Sequence, residues 1–171
     1  MTVDLQSCRL GETNEPVMLE SSDDHREAAL TLAKQATRSL HIFSQQLDRR
    51  VFDQLPFIEA LTQLVLRSPQ CKVQILVRDT NDMISNGHRL IEAMRRVPSR
   101  IQLRKVNEEH QNHKDEFMIA DETGLLVRRL ATRYEGSVDF NARKESRERL
   151  NQFNEVWRPS EPEPKLKHLS I

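Results

Sequence analysis

The chain has 171 residues, 26 of them basic and 26 acidic, and 37% of it is hydrophobic. That supplies one domain with a core that needs neither disulfide nor metal. A net charge of zero excludes a chain-wide field that would draw the protein to nucleic acid or an anionic membrane, so any such patch has to be local.

In chain order, "MTVDLQSCRLGETNE" is polar and aperiodic and reads as a flexible segment over residues 1–15. It shows no basic stretch followed by an apolar one, and no later run approaches the roughly 18 apolar residues of a membrane helix. Cys8 and Cys71 lack C-x-x-C spacing, so no disulfide framework or zinc signature is present. A soluble chain in the reducing cytoplasm, with no membrane partner, is the expectation.

After "PVML", Asp24 with Glu27 three residues on has the spacing of a capping box. Ala28, Ala29, Leu32, Ala33 and Ala36 then recur at helical period and predict a first helix ending near Arg38. "SLHIFS" predicts a strand, and "DRRVFDQLP" a connector whose proline suits a helix's first turn. Phe57, Ile58, Leu61, Leu64 and Val65 mark the second helix, which stops at "SP". "KVQILVRD", nearly continuous in apolar and β-branched residues, predicts a strand covered on both faces.

"DTND" caps a third helix striped by Leu90, Ile91, Met94 and Val97, with Gly87 as a weak point and Pro98 as a stop. "RIQLRKV" predicts another strand. Beyond the polar "NEEHQNHKDE", "FMIAD" and "LLVRR" flank a turn and predict a hairpin, and "RYEGSVDFN" a loop. Leu150, Phe153, Val156 and Trp157 share one face of a last helix, where core packing is the expected role of the tryptophan. The tail over 159–171 carries three prolines and reads as extended, with Leu166, Leu169 and Ile171 able to dock it. Strand and helix alternate three times before the hairpin. This predicts an α/β domain over 16–158: a three-layer sandwich with a mixed, mostly parallel sheet and one antiparallel edge pair.

This order of elements, with the letters "FMIAD", Gly124 and "FNEVW", resembles one repeat of the phospholipase D superfamily from about residue 20 to 160. The family signature is H-x-K-x-x-x-x-D, followed by a turn glycine, G-S-x-N and F-x-x-x-W. The resemblance implies a histidine that attacks phosphorus, a second histidine that protonates the leaving oxygen, and lysines that stabilise the phosphoryl charge. His and Lys two apart on a strand point the same way, so both meet one phosphate. Aligned through Asp121, this chain carries Lys114 in the histidine position and Glu116 in the lysine position. Shifting the register to recruit His113 turns Phe117 and Ile119 to the wrong face unless a bulge intervenes. "GSVDF" also departs, with Asp139 in place of asparagine.

The resemblance therefore implies a fold whose phosphodiesterase motif is degenerate, acting as a binding or regulatory module, with a divergent His113 phosphodiesterase or nuclease as the alternative. A single repeat implies a homodimer, because the family's enzymes face two motifs together. The ending "RYEG", "DF", "FNEVW" also resembles an uncharacterised bacterial domain sometimes attached to acetyltransferases of the GNAT type. The acetyltransferase loop Arg/Gln-x-x-Gly-x-Gly/Ala is missing, so a separate acetyltransferase is the implied partner.

Arg128, Arg129, Arg133 and Tyr134 form a candidate phosphate or nucleic-acid patch, weighed against a solvated face paired with nearby acids. His110 and His113 beside Glu108, Glu109 and Asp115 lack a third ligand at diagnostic spacing, so no metal is expected. Four glycines cannot assemble a nucleotide cradle, and no cofactor is implied.

Overall fold

The computed structural model describes residues 4–168. Eight strands form one sheet in the order β1-β7-β6-β5-β2-β3-β4-β8. They are β1 (Val17–Leu19), β2 (Ser39–Ser44), β3 (Lys72–Val77), β4 (Ile101–Lys105), β5 (Glu116–Ala120), β6 (Gly124–Arg128), β7 (Gly136–Asp139) and β8 (Glu161–Pro162). The helices are α1 (Ser22–Gln35), α2 (Arg49–Phe52), α3 (Leu55–Arg67), α4 (Asn81–Asn86), α5 (Arg89–Arg96) and α6 (Arg143–Trp157).

The sheet is mixed, but the expectation of a mostly parallel one is overturned. Only β2–β3 and β3–β4 are parallel, while five junctions among the described residues are antiparallel. Helical crossovers force parallel pairing within β2-β3-β4. The hairpin β5–β6 then enters beside β2 at the sheet's centre, with Phe43 opposite Phe117 and Leu40 opposite Ala120. It is therefore not an edge pair: β7 and β1 extend the sheet beyond β6.

Period-two alternation gives the sheet two unequal apolar faces. Leu40, Ile42, Val73, Ile75, Met118, Ala120 and Leu126 pack with α1, α3 and α5. Phe43, Leu76, Phe117, Ile119 and Leu125 meet Phe153, Val156 and Trp157 of α6. His41 shares that second face, its ring edge-on to Phe153 at 5.1 Å, and all six residues of β2 are buried. Trp157 lies stacked on Phe153 and under the Arg104 guanidinium at 4.2 Å, as core packing requires.

Helix boundaries follow local chemistry, with two corrections. The capping box of α1 is Ser21 with Asp24: Ser21 Oγ accepts from the Asp24 amide at 3.1 Å, and Asp24 Oδ2 accepts from the Ser21 amide at 3.3 Å. The expected Asp24–Glu27 pair is one turn too late. The single third helix is two helices, α4 and α5, because Gly87 adopts φ +75° and breaks the run.

Both ends of the described chain are held. Residues 4–15, expected to be flexible, bury Leu5 and Cys8, and Gln35 of α1 bridges the Leu10 amide and the Cys8 carbonyl at 2.7 Å each. In the tail, β8 pairs with β4, Leu166 is buried, and Thr80 Oγ1 donates to Glu163 Oε2 at 3.0 Å. The expected docking of Leu169 and Ile171 lies outside the described residues.

The loop expected at "RYEGSVDFN" contains β7. There a Cβ on Gly136 would stand 2.2 Å from the Val127 carbonyl oxygen and 2.8 Å from the His25 ring. Backbone cannot yield cheaply, so Gly136→Ala is expected to lower stability by roughly 1–3 kcal/mol, read as a reduced urea midpoint at unchanged m-value.

Candidate functional site

The two motif positions at the start of β5 have separate fates. Lys114 is exposed, whereas Glu116 is buried and faces the α1 side of the sheet. The turn after β2 meets its carboxylate: the Gln45 amide donates to Oε2 at 2.6 Å and Ser44 Oγ at 3.2 Å. Across β6, Arg128 Nη1 stands 3.6 Å from Oε1, in the register that places Glu116 opposite Arg128.

Arg128 is itself enclosed. Its Nε donates to the Arg133 carbonyl at 2.6 Å, its Nη1 to Asp48 Oδ2 at 3.0 Å, and Nη2 to the Ala131 carbonyl. The guanidinium lies 4.3 Å from the Tyr134 ring, whose hydroxyl donates to the same Asp48 oxygen at 2.7 Å. Burial alone would raise the Asp48 pKa, but hydrogen bonds from Tyr134, the Arg50 amide and Arg128 outweigh it and hold the carboxyl below its ordinary value. Burial and the Asp48 bond push the Tyr134 hydroxyl up. The segment 129–135 is thus fastened over the start of β5, and the cavity left beside Glu116 and Arg128 measures about 20 Å³. That space holds no more than a water molecule.

The expected basic patch is therefore divided. Arg128 points inward with Tyr134 and serves the fold, while Arg129 and Arg133 are exposed and Arg133 stands 3.9 Å from Glu135. Sequence reading missed Asp48, His25 and the Gln45 amide. Asp48 had a visible local role, capping α2 through the Arg50 amide at 3.0 Å. Its second oxygen reaches β6 only because Leu47, at φ +58°, turns the chain sharply there.

His113 is on the other side of the sheet. Its ring packs against Phe43 at 5.7 Å, and the Gln152 amide of α6 donates to Nδ1 at 3.0 Å. It therefore shares no face with Glu116. Asp121 sits at the far end of β5, on the hairpin turn at φ +53°, where its carboxylate accepts from the amides of Thr37, Arg38 and Ser39 at 2.7–3.2 Å. Its role is to splice the turn to the start of β2.

Three buried histidines are kept neutral. Burial, with repulsion from Lys72 added, pushes His41 from 6.5 to about 4. Burial also lowers His25, whose Nε2–H donates to the Tyr134 carbonyl at 2.6 Å, and His88, whose Nδ1 accepts from the Leu90 amide at 3.1 Å. Each binds fewer protons folded than unfolded, so stability rises with pH. Stability is expected to fall as pH drops from 6.5 toward 4, with His41 alone contributing about 3 kcal/mol, and His41→Phe to flatten that slope in pH-dependent denaturation.

A central strand ending in the turn aspartate, beside parallel β2-β3-β4 and covered by α6, makes this an α/β fold with an open, mixed eight-stranded sheet. The phospholipase D family member Nuc from Salmonella typhimurium superposes with a TM-score of 0.60 at 18% identity, covering 87% of this chain and 99% of Nuc. NucT from Helicobacter pylori gives 0.62 at 9% identity, with 87% and 99% covered. The archaeal chromatin protein TrmBL2, described as showing a novel mode of DNA binding, gives 0.63 at 15%, with 88% of this chain matched to 54% of that one. At these identities the likeness is one of fold. The chain belongs to the family described as "Domain of unknown function (DUF7931)", which matches residues 21–169. No curated protein matches it significantly.

Proposed function

We propose that this chain is a phospholipase D-like domain without phosphoryl-transfer chemistry, acting as a binding or regulatory module. The observation carrying the reading is Glu116: a carboxylate, buried and hydrogen-bonded, occupies the position from which a lysine would neutralise a phosphate. It would repel the charge that the transition state develops. Lys114, in the nucleophile's place, is exposed and offers no imidazole to attack phosphorus. The space around Glu116 is closed by Arg128 and Tyr134 rather than open to a substrate.

Pure protein is expected to give no turnover of bis-p-nitrophenyl phosphate or plasmid DNA above buffer. Turnover lost in His113→Ala, or a phosphoryl adduct on the chain in mass spectrometry, would overturn the proposal.

A nucleic-acid-binding module is the second reading, favoured by the fold shared with the chromatin protein and by the exposed Arg129 and Arg133. It requires affinity that falls steeply with salt. We extend the first reading to a homodimer, on the ground that one repeat supplies half of the family's paired arrangement; a monomeric mass in light scattering removes that extension. A separate acetyltransferase partner rests on the sequence resemblance, and a pull-down recovering no such enzyme counts against it.

A further inference from the structure

At the end of β5 away from Glu116, roughly 16 Å along the strand, an open cleft of about 570 Å³ is lined by Arg9, Arg38 and Arg143 with Gln35, Thr37 and Asp121. The arginines come from three separate parts of the chain. Arg9 lies in the N-terminal segment that Gln35 anchors, Arg38 leads into β2, and Arg143 opens α6.

All three are exposed, and among the described residues none lies within ion-pairing distance of a carboxylate. Arg9 uses one N–H on the Gln6 carbonyl at 3.3 Å and Arg38 one on the Asp121 carbonyl at 3.1 Å, which leaves most of each guanidinium's five donors unspent. By contrast, the arginines at 49, 100 and 128 are each bound to several oxygens of the protein itself.

The two acids at the cleft offset this charge only in part. Both oxygens of Asp121 are occupied by the 37–39 amides, and Glu12 is exposed on the rim. Exposed Lys72 adjoins Arg38 in the backbone, its amide N–H donating to the Arg38 carbonyl at 3.2 Å. Arg143 also begins a 15-residue helix whose N-cap, Ala142, offers no side-chain acceptor, with Glu145 as the acid of its first turn.

We infer that this cleft binds a small phosphate-bearing ligand, as free pyrophosphate or as the polyphosphate of a nucleotide, through Arg9, Arg38 and Arg143. Guanidinium forks match phosphate oxygens two at a time, and three forks in one concavity suit a group with more than one negative charge. A monovalent carboxylate would gain less against the two acids already present. The site is separate from the Glu116 pocket, so it stands whether or not that pocket retains chemistry.

The test is calorimetric titration of the full chain at low salt with inorganic pyrophosphate, ATP and a short DNA oligonucleotide. Pyrophosphate is expected to bind. Arg143→Glu should weaken it about tenfold or more, and Arg9→Ala measurably, whereas Arg96→Glu on α5 should leave it unchanged. ATP binding more tightly than pyrophosphate assigns the nucleotide source; equal affinities assign the free anion. No heat at millimolar pyrophosphate, equal affinity in Arg143→Glu and Arg96→Glu, or oligonucleotide binding without pyrophosphate binding would each overturn the inference. Arg9→Ala keeps the test decisive should Arg143→Glu fail to fold.

Discussion

Asp121→Ala is expected to lower the unfolding free energy by roughly 3 kcal/mol or more, measured by urea denaturation. The carboxylate takes hydrogen bonds from three successive amides, those of Thr37, Arg38 and Ser39, and a fourth from Thr37 Oγ1 at 3.1 Å. Alanine removes every acceptor, and the buried Ser39 cannot recover its partner from solvent. The substitution also leaves an alanine at φ +53°, a region that Asp and Asn occupy more readily. Asp121→Asn keeps one acceptor oxygen and the turn preference, so its loss should be clearly smaller. Equal losses in the two variants would mean that the amide contacts contribute little.

The second large effect is expected at Arg128. Arg128→Met leaves buried Glu116 and half-buried Asp48 without their cation, and unpairing a buried charge costs about 3–5 kcal/mol. Adding Glu116→Gln should restore part of that loss, since the amide still accepts from Gln45 and carries no charge. A double-mutant cycle over Arg128 and Glu116 separates this coupling from the packing of Arg128 on Tyr134. Strictly additive losses would show that the pair does not interact, and the closed pocket would need another explanation.

The parts of the fold visible in the sequence are those whose periodicity stands on its own. The stripes of α1, α3 and α6 and the runs forming β2, β3 and β5 are long enough to declare their period. β1 and β7 have three and four residues, with Met18 exposed and Gly136 and Ser137 half-buried. They are strands because Val17 meets Val138, a pairing across 120 intervening residues that local pattern cannot register. The direction of β5 beside β2 is non-local in the same way.

Within the site, Glu116 was singled out in the sequence by the family resemblance, but its partners were not. Ser44 ends β2 and Gln45 follows it, some seventy residues before Glu116, and Asp48 stands eighty residues before Arg128. Arg128 is the exception, because its inward aim was available from period two alone: it lies on β6 two residues after buried Leu126, and the arginine that follows it falls outside the strand. Grouping it with Arg129 and Arg133 by charge obscured this.

The short strap formed by β8 and Leu166 bears on how the protein tolerates being joined to anything else. It covers the hydrogen-bonding rim of β4, opposite Arg104 and Lys105. A fusion or a cut made directly after α6 would uncover that rim, and an uncovered rim recruits a stranger's strand, so the proline-rich end guards the molecule against sticking to its own kind.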